Sequence, residues 1–210
     1  YVGFPVATTT TDFQGWNSNH PALKAAIALM RPSVIIEVGT WKGMSAIHMA
    51  EQCKALGLAS AVICVDTWLG SPEHMIDPKN NRWIESLKFE NGYPTIYRTF
   101  LANVIAKKCD DVIVPLPATS DNAAIILKRA RVKAKIVYID AAHQYDPVLR
   151  DLNNYWDIVE QGGLMLGDDY GAGWTGVTKA VDEFVAARGL EIVSGKGKFA
   201  ISKGPMSQSL

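Results

Sequence analysis

The chain has 210 residues, 48% hydrophobic and 20% charged, with 21 basic side chains balanced by 21 acidic ones. A formal net charge of zero gives no overall basic field for nucleic acid or an anionic membrane, and no apolar run approaches the ~18 residues that cross a bilayer. The length suits one domain over 1–210, with room for a lid. Cys53, Cys64 and Cys109 are widely spaced, form no Cys-x-x-Cys pair, and read as free thiols of a reducing compartment. The first residues, Tyr1-Val2-Gly3-Phe4-Pro5, lack the basic-then-apolar pattern of a secretory leader, so the expected location is cytoplasmic.

In chain order, Thr8 to Thr11 form a polar loop or arm. Ser18-Asn19-His20-Pro21 opens a helix to about Met30, with Ser or Asn as cap and Pro in the first turn, and Arg31-Pro32 ends it. Five near-continuous apolar runs follow at 34–38, 61–66, 112–116, 135–140 and 163–167, as in parallel strands covered on both faces. Helices are expected at about 44–57, 120–131 and 146–160, the last with Asp146 as cap and Pro147 at its start. A further helix over 177–188 precedes two strands, 190–193 and 198–202, close enough to be an antiparallel hairpin. This alternation predicts an α/β fold: a Rossmann-like, doubly wound, mainly parallel sheet with an antiparallel C-terminal edge hairpin and helices on both faces.

The stretch between Asp66 and Val112 is longer than one crossover helix requires, and it concentrates Trp68, Trp83, Phe89, Tyr93, Tyr97 and Phe100. It reads as a lid over 68–92, punctuated by Asp77-Pro78 and Asn80-Asn81, followed by the crossover helix over 94–108. An insertion packed on the surface is the competing reading.

The run Val34-Ile35-Ile36-Glu37-Val38-Gly39-Thr40-Trp41-Lys42-Gly43 is the most informative. A strand that ends in a glycine turn and feeds a helix makes a small-molecule pocket at the carboxyl edge of a sheet. The spacing is Glu-x-Gly-x-x-x-Gly, without the three glycines that cradle a pyrophosphate. A phosphate-free ligand such as S-adenosylmethionine suits it, its amino acid tail along the turn and its ammonium toward Glu37; a turn with no ligand is the bland alternative. Asp66, at the end of the second strand, is placed to accept hydrogen bonds from ribose hydroxyls, or is a turn aspartate. Ser120 borders the adenine position, or caps a helix, or does both. Asp140 ends the fourth strand, and Asp168 and Asp169 end the fifth. If these strands are neighbours the three carboxylates meet, and a hard divalent cation such as Mg²⁺ would relieve their repulsion; a simple loop cap is the other reading. His143, three residues beyond Asp140, is a candidate general base or a surface loop histidine.

Together these residues resemble the class I S-adenosylmethionine-dependent methyltransferases, and most nearly the small metal-dependent O-methyltransferases of the catechol type and of sugar or natural-product tailoring. The resemblance runs from about Trp16 to Lys203. It is carried by Glu37 to Ser45, by Val65-Asp66-Thr67-Trp68-Leu69-Gly70, and by Ile139 to Tyr145 with Gly162 to Tyr170. It implies a cofactor site of Glu37, Gly39, Thr40, Gly43, Ser45, Asp66, Thr67, Trp68, Ser120 and Asp140. It also implies Mg²⁺ on Asp140, Asp168 and Asp169, with His143 and Asp140 at the chemistry. The chain departs from the family at Trp41, where many members have a middle glycine. The implied partner is a small hydroxylated acceptor, with no nucleic acid, no membrane, and self-association left open. A nicotinamide-dependent oxidoreductase, a metal-dependent hydrolase or hydroxylase-like enzyme, and a non-catalytic S-adenosylmethionine-binding protein are the competing classes.

Overall fold

The computed structural model describes residues 1–76, 82–171 and 173–205. The main sheet has seven strands: β1 (Val34–Val38), β2 (Ala61–Asp66), β5 (Ile113–Pro117), β6 (Ala134–Ile139), β7 (Val159–Gly167), β8 (Ile192–Gly195) and β9 (Lys198–Ser202). A separate two-stranded ribbon, β3 (Phe89–Glu90) with β4 (Tyr93–Pro94), spans the end of the predicted lid, and the crossover helix starts at Ile96 rather than 94. The helices are α1 (Pro21–Met30), α2 (Met44–Ala55), α3 (Pro72–Ile76), α4 (Arg82–Ser86), α5 (Ile96–Ala106), α6 (Ser120–Arg129), α7 (Tyr145–Trp156) and α8 (Thr175–Ala186).

The strand order is β5-β2-β1-β6-β7-β9-β8. The first five run parallel, and β9 and β8 close the edge antiparallel, as the sequence predicts. The chain goes outward from β1 through β2 to β5, then returns to β6 on the other side of β1. A crevice opens at such a reversal, at the carboxyl ends of the strands. Register aligns those ends: Val38 pairs with Val65 and with Ile139, and Ile139 with Gly167.

Alternate strand residues point to opposite faces. Ile35 packs with Leu23 and Ile27 of α1, Ile47 of α2 and Phe100 of α5. Ile36 and Val38 pack on the other side with Ala123 of α6, Leu152 of α7 and Phe184 of α8. Burying each such side chain contributes about 1.5–3 kcal/mol, which is why the sheet carries apolar residues on both faces.

Several expected boundaries move. The edge strand begins at Ile113 and includes Pro115 and Pro117, which an edge tolerates. The helix expected to reach 160 stops at Trp156, and β7 starts at Val159, irregular around Gly162-Gly163. Three caps differ from expectation. His20 Nδ1, not Ser18 or Asn19, accepts the amide of Ala22 at 3.1 Å. Thr119, not Ser120, accepts the amide of Asn122 at 3.2 Å. Helix α7 begins one residue before Asp146, with Gln144 at the cap position and no side-chain cap bond. The polar run near Thr8 leads into an ordered arm. Asp12 and Asn103 of α5 exchange hydrogen bonds at 2.9 and 2.7 Å, which ties the arm across the first glycine turn.

Candidate active site

Gly39 has φ +86°, and a Cβ there would lie 2.0 Å from the carbonyl oxygen of Asp140. Only glycine lets β1 and β6 end this close together. Trp41 follows with φ +52°, the conformation a glycine would take at the position where it departs from the family pattern. The arm holds the turn from outside. Gln14 Oε1 accepts from the Trp41 indole at 2.9 Å, and the buried Lys42 ammonium pairs with Asp12 at 2.6 Å. Nothing in the spacing of the turn marked Lys42 as buried.

Asp66 closes the turn from the side of β2. Its Oδ2 accepts the amides of Thr40 at 2.9 Å and Trp41 at 2.8 Å, and its Oδ1 accepts that of Trp68 at 2.7 Å. A carboxylate has about four acceptor positions, so one remains for a ligand hydroxyl. Glu37 lies beneath the turn rather than on its surface. It is fully buried, accepts from the Ser45 hydroxyl, and has the Cys64 thiol at 3.9 Å. Burial pushes its carboxyl up to about 8, against the Ser45 hydrogen bond. The Thr40 side chain, also buried, lies beside it. Thr67 accepts the amide of Leu69 at 3.2 Å.

Trp68, the expected first residue of the lid, belongs to the core. It is 3% exposed, packs between Tyr97 and Phe100 at 4.7 and 4.8 Å between ring centroids, and donates its indole N–H to the carbonyl of Trp41 at 2.8 Å. The aromatics of this stretch therefore divide. Trp68, Tyr97 and Phe100 support the turn from below, Trp83 meets Trp16 at 4.8 Å, and Phe89 and Tyr93 are exposed on the ribbon. Helix α3 docks on the site: His74 stacks on Trp41 at 4.5 Å, and Glu73 accepts from Gln144. The punctuating residues Asp77, Pro78, Asn80 and Asn81 lie outside the described residues.

Ser120 donates to Asp151 of α7, and the hydroxyl of Tyr155 donates to the Ser120 carbonyl at 3.0 Å. This locks α6 to α7. Asp151, which the sequence reading did not single out, has its carboxyl pushed up to about 6 by burial.

Asp140 and Asp168 do come together, but Asp169 turns away. The Tyr138 hydroxyl donates to Asp140 Oδ2 at 2.9 Å and stands 3.4 Å from Asp168 Oδ2. Lys198, at the start of β9 and 5% exposed, donates to both Asp168 and Tyr138. Burial, and then the charge of Asp168, raises the Asp140 carboxyl above the usual carboxylate range. Asp169 has φ +62°, which sends its carboxylate to His143 Nε2 at 3.0 Å. The His143 ring stacks on Trp174 at 3.9 Å, and its Nδ1 is buried without a hydrogen-bond partner, 3.5 Å from Glu73. Burial works to lower the imidazole pKa, and Asp169 with Glu73 outweighs it, so the pKa is raised. Gly176 fixes this loop, because a Cβ on it would lie 2.4 Å from the His143 carbonyl oxygen.

Three of the residues expected to hold the cofactor are thus gathered at one strand edge: Gly39 after β1, Asp66 at the end of β2, and Asp140 after β6. The three aspartates expected to hold Mg²⁺ are not gathered in the same sense. Among the described residues no group of three or more His, Cys, Asp or Glu side chains is disposed to bind a metal ion. An ammonium within hydrogen-bond reach of Asp168 opposes a dication there, so the residues do not fit the expected ion.

Fold and site define a class I methyltransferase architecture, and comparison with known proteins agrees. Residues 36–170 match the family described as a methyltransferase domain, and the chain belongs to that family. Protein R132 of Acanthamoeba polyphaga mimivirus is 29% identical over 136 residues, which is 64% of this chain and 50% of that protein, so the chain spans about half the length of this relative. Among solved structures, the O-methyltransferase NovP superposes with a TM-score of 0.63 at 18% identity, over 90% of this chain and 80% of its own. The calicheamicin methyltransferase CalS11 gives 0.65 at 16% identity, over 87% and 76%. TomG of Streptomyces achromogenes, solved with S-adenosylmethionine, gives 0.62 at 15% identity, over 92% and 83%. At these identities the likeness is one of fold. No helix among the described residues is long and apolar enough to cross a membrane.

Proposed function

We propose that the chain is an S-adenosylmethionine-dependent O-methyltransferase acting on a hydroxyl of a small molecule. The observation that carries this is the glycine turn at the sheet reversal, with Asp66 on one side and Asp140 on the other. The catechol-type and tailoring O-methyltransferases that the sequence resembles support it, as do the methyltransferase family and the O-methyltransferase neighbours in structure.

S-adenosylmethionine, when bound, supplies a methyl group on a positively charged sulfur. In this reading the chain does the rest. Gly39 and Thr40 bring backbone close to the methionine end, and Asp66 offers its remaining acceptor position to the ribose. Asp169 orients His143 through Nε2 and leaves Nδ1, 3.5 Å from Glu73, as the ring's second proton-binding atom. His143 Nδ1 would take the proton that an acceptor hydroxyl gives up on receiving the methyl group. Holding oxygen and carbon in line at contact distance is the larger part of the task. Helix α3, docked through His74 and Glu73, would exclude water from the site.

Metal assistance, which the resemblance implies, is opposed by the Lys198 ammonium beside Asp168.

The test is product analysis by mass spectrometry. The protein is incubated with S-adenosylmethionine and a panel of catechols, phenols and sugar hydroxyls. Appearance of S-adenosylhomocysteine with a matching methyl ether supports the reading. Methylation confined to nitrogen or carbon would overturn the O-methyl assignment.

A further inference from the structure

The sheet edge carries a buried group that the expected chemistry does not use. Lys198 is the first residue of β9, and the pairing Gly167↔Phe199 places it beside the end of β7. Its side chain is 6% exposed and that of Asp168 is 9% exposed. The ammonium donates to Asp168 and to the Tyr138 hydroxyl, and it stands 5.0 Å from the Tyr138 ring centroid. Tyr138 in turn donates to Asp140 at 2.9 Å. Asp168 Oδ1 is also occupied, by the amide of Asp169 at 2.9 Å. A buried charge is kept only where a partner of opposite sign is fixed beside it. Here the partner of the strand-end carboxylates is supplied by the chain.

A cavity of about 400 Å³ is lined in part by Lys198 and Tyr138. It lies between the first turn of α1 and the β8–β9 hairpin. Pro21, Leu166, Val193 and Phe199 give it apolar walls. From its lining, one hydrogen bond through Tyr138 reaches Asp140, against which Gly39 of the turn is packed.

We propose that the Lys198 ammonium stands in for a divalent cation at the carboxyl edge of β6 and β7, where the cavity beside it offers an apolar acceptor a way to that edge. The protein is then independent of metal. This rests on the methyl-transfer reading for the identity of the acceptor, but the ion replacement does not.

Metal binding separates the two. Mn²⁺ is titrated into the apo protein and the free-ion signal followed by electron paramagnetic resonance. The wild type leaves Mn²⁺ free. Lys198→Gln removes the charge and adds an oxygen donor, so it binds one Mn²⁺ at least tenfold more tightly than wild type, and adding Asp168→Asn abolishes that gain. Stoichiometric binding of Mn²⁺ by the wild type, lost in Asp168→Asn, overturns the proposal, and this arm needs no variant at position 198. Failure of folded Lys198→Gln to gain affinity overturns it as well. On the activity side, excess chelator changes wild-type turnover less than twofold, and a larger loss that Mg²⁺ restores contradicts it. Absence of S-adenosylmethionine binding would bring down the methyl-transfer reading while leaving the Mn²⁺ result standing.

Discussion

Asp66 Oδ2 accepts the amide of Trp41 at 2.8 Å, and this bond holds a tryptophan at φ +52° in a turn where the family pattern has glycine. One carboxylate therefore shapes the turn and, in the proposed reading, also meets a ribose. Hydrogen bonds to charged groups contribute about 1.5–3 kcal/mol each, less where water can replace the partner. Asp66→Ala should lower S-adenosylmethionine affinity about ten- to hundredfold and apo stability by about 2–3 kcal/mol. Asp66→Asn keeps one oxygen for the amides and should recover most of the stability but little of the affinity. Calorimetry and denaturant melts on the two variants check this, and equal affinity in all three proteins would remove Asp66 from the site.

Glu37 makes stability depend on pH in a stated direction. Its carboxyl is raised from about 4.5 to about 8 by burial, so between these values the folded chain holds a proton that the unfolded chain has lost. Folding stability from this group therefore falls as pH rises across that window, by up to about 1.4 kcal/mol per unit. Glu37→Gln keeps a neutral partner for Ser45. Melting curves from pH 5 to 9 should converge for the two proteins at low pH and diverge at high pH, with the variant more stable. Parallel curves would mean that Glu37 is ionised in the fold.

His143 should act through Nδ1 with Asp169 behind it. His143→Ala should keep the fold and lose about 10²–10⁴ in rate, the usual reach of a general base. The pKa is raised, and only the neutral ring accepts a proton, so the acid limb of the pH–rate profile should lie above 6.5. Asp169→Asn should move that limb to lower pH. Below about 6.5 the same ion pair contributes its full stability, which is lost as pH rises through the folded-state pKa. A rate loss below threefold in His143→Ala would leave it a loop residue.

Much of this was legible in the sequence because apolar runs and glycine turns act locally. The parallel strands, the reversal and the closing hairpin follow from the runs at 34–38, 61–66, 135–140 and 198–202. Caps were less legible, since Thr119 and Ser120, or Asn19 and His20, compete over one residue and a short side-chain reach decides. Lys198 was barely legible in its role. It lies 30 residues beyond Asp168, and which face of β9 it occupies is fixed only by antiparallel register. The one signal was a lysine opening an otherwise apolar strand. Asp169 parts from Asp168 partly for a legible reason, since successive strand residues point to opposite faces, but sequence spacing does not show that its φ is positive.

The expected lid is pinned at Trp68 and docked through α3. If it works as a lid, hydrogen exchange in α3 should be fast in the apo protein and slow on adding cofactor and acceptor, while Trp68 and Leu87, both buried, stay protected throughout. Glu73→Ala, which removes the contact with Gln144, should speed exchange in α3. Slow exchange there in the apo protein, unaltered by ligands, would make the segment fixed scaffold.

The central claim is that the turn between β1 and α2 is built for S-adenosylmethionine. Isothermal calorimetry on the unmodified protein tests it directly, with S-adenosylmethionine, S-adenosylhomocysteine and NAD⁺, each with and without Mg²⁺. The account predicts one-to-one binding of the first two, unchanged by Mg²⁺, and no heat from NAD⁺. Saturable binding of NAD⁺ with none of S-adenosylmethionine would contradict it.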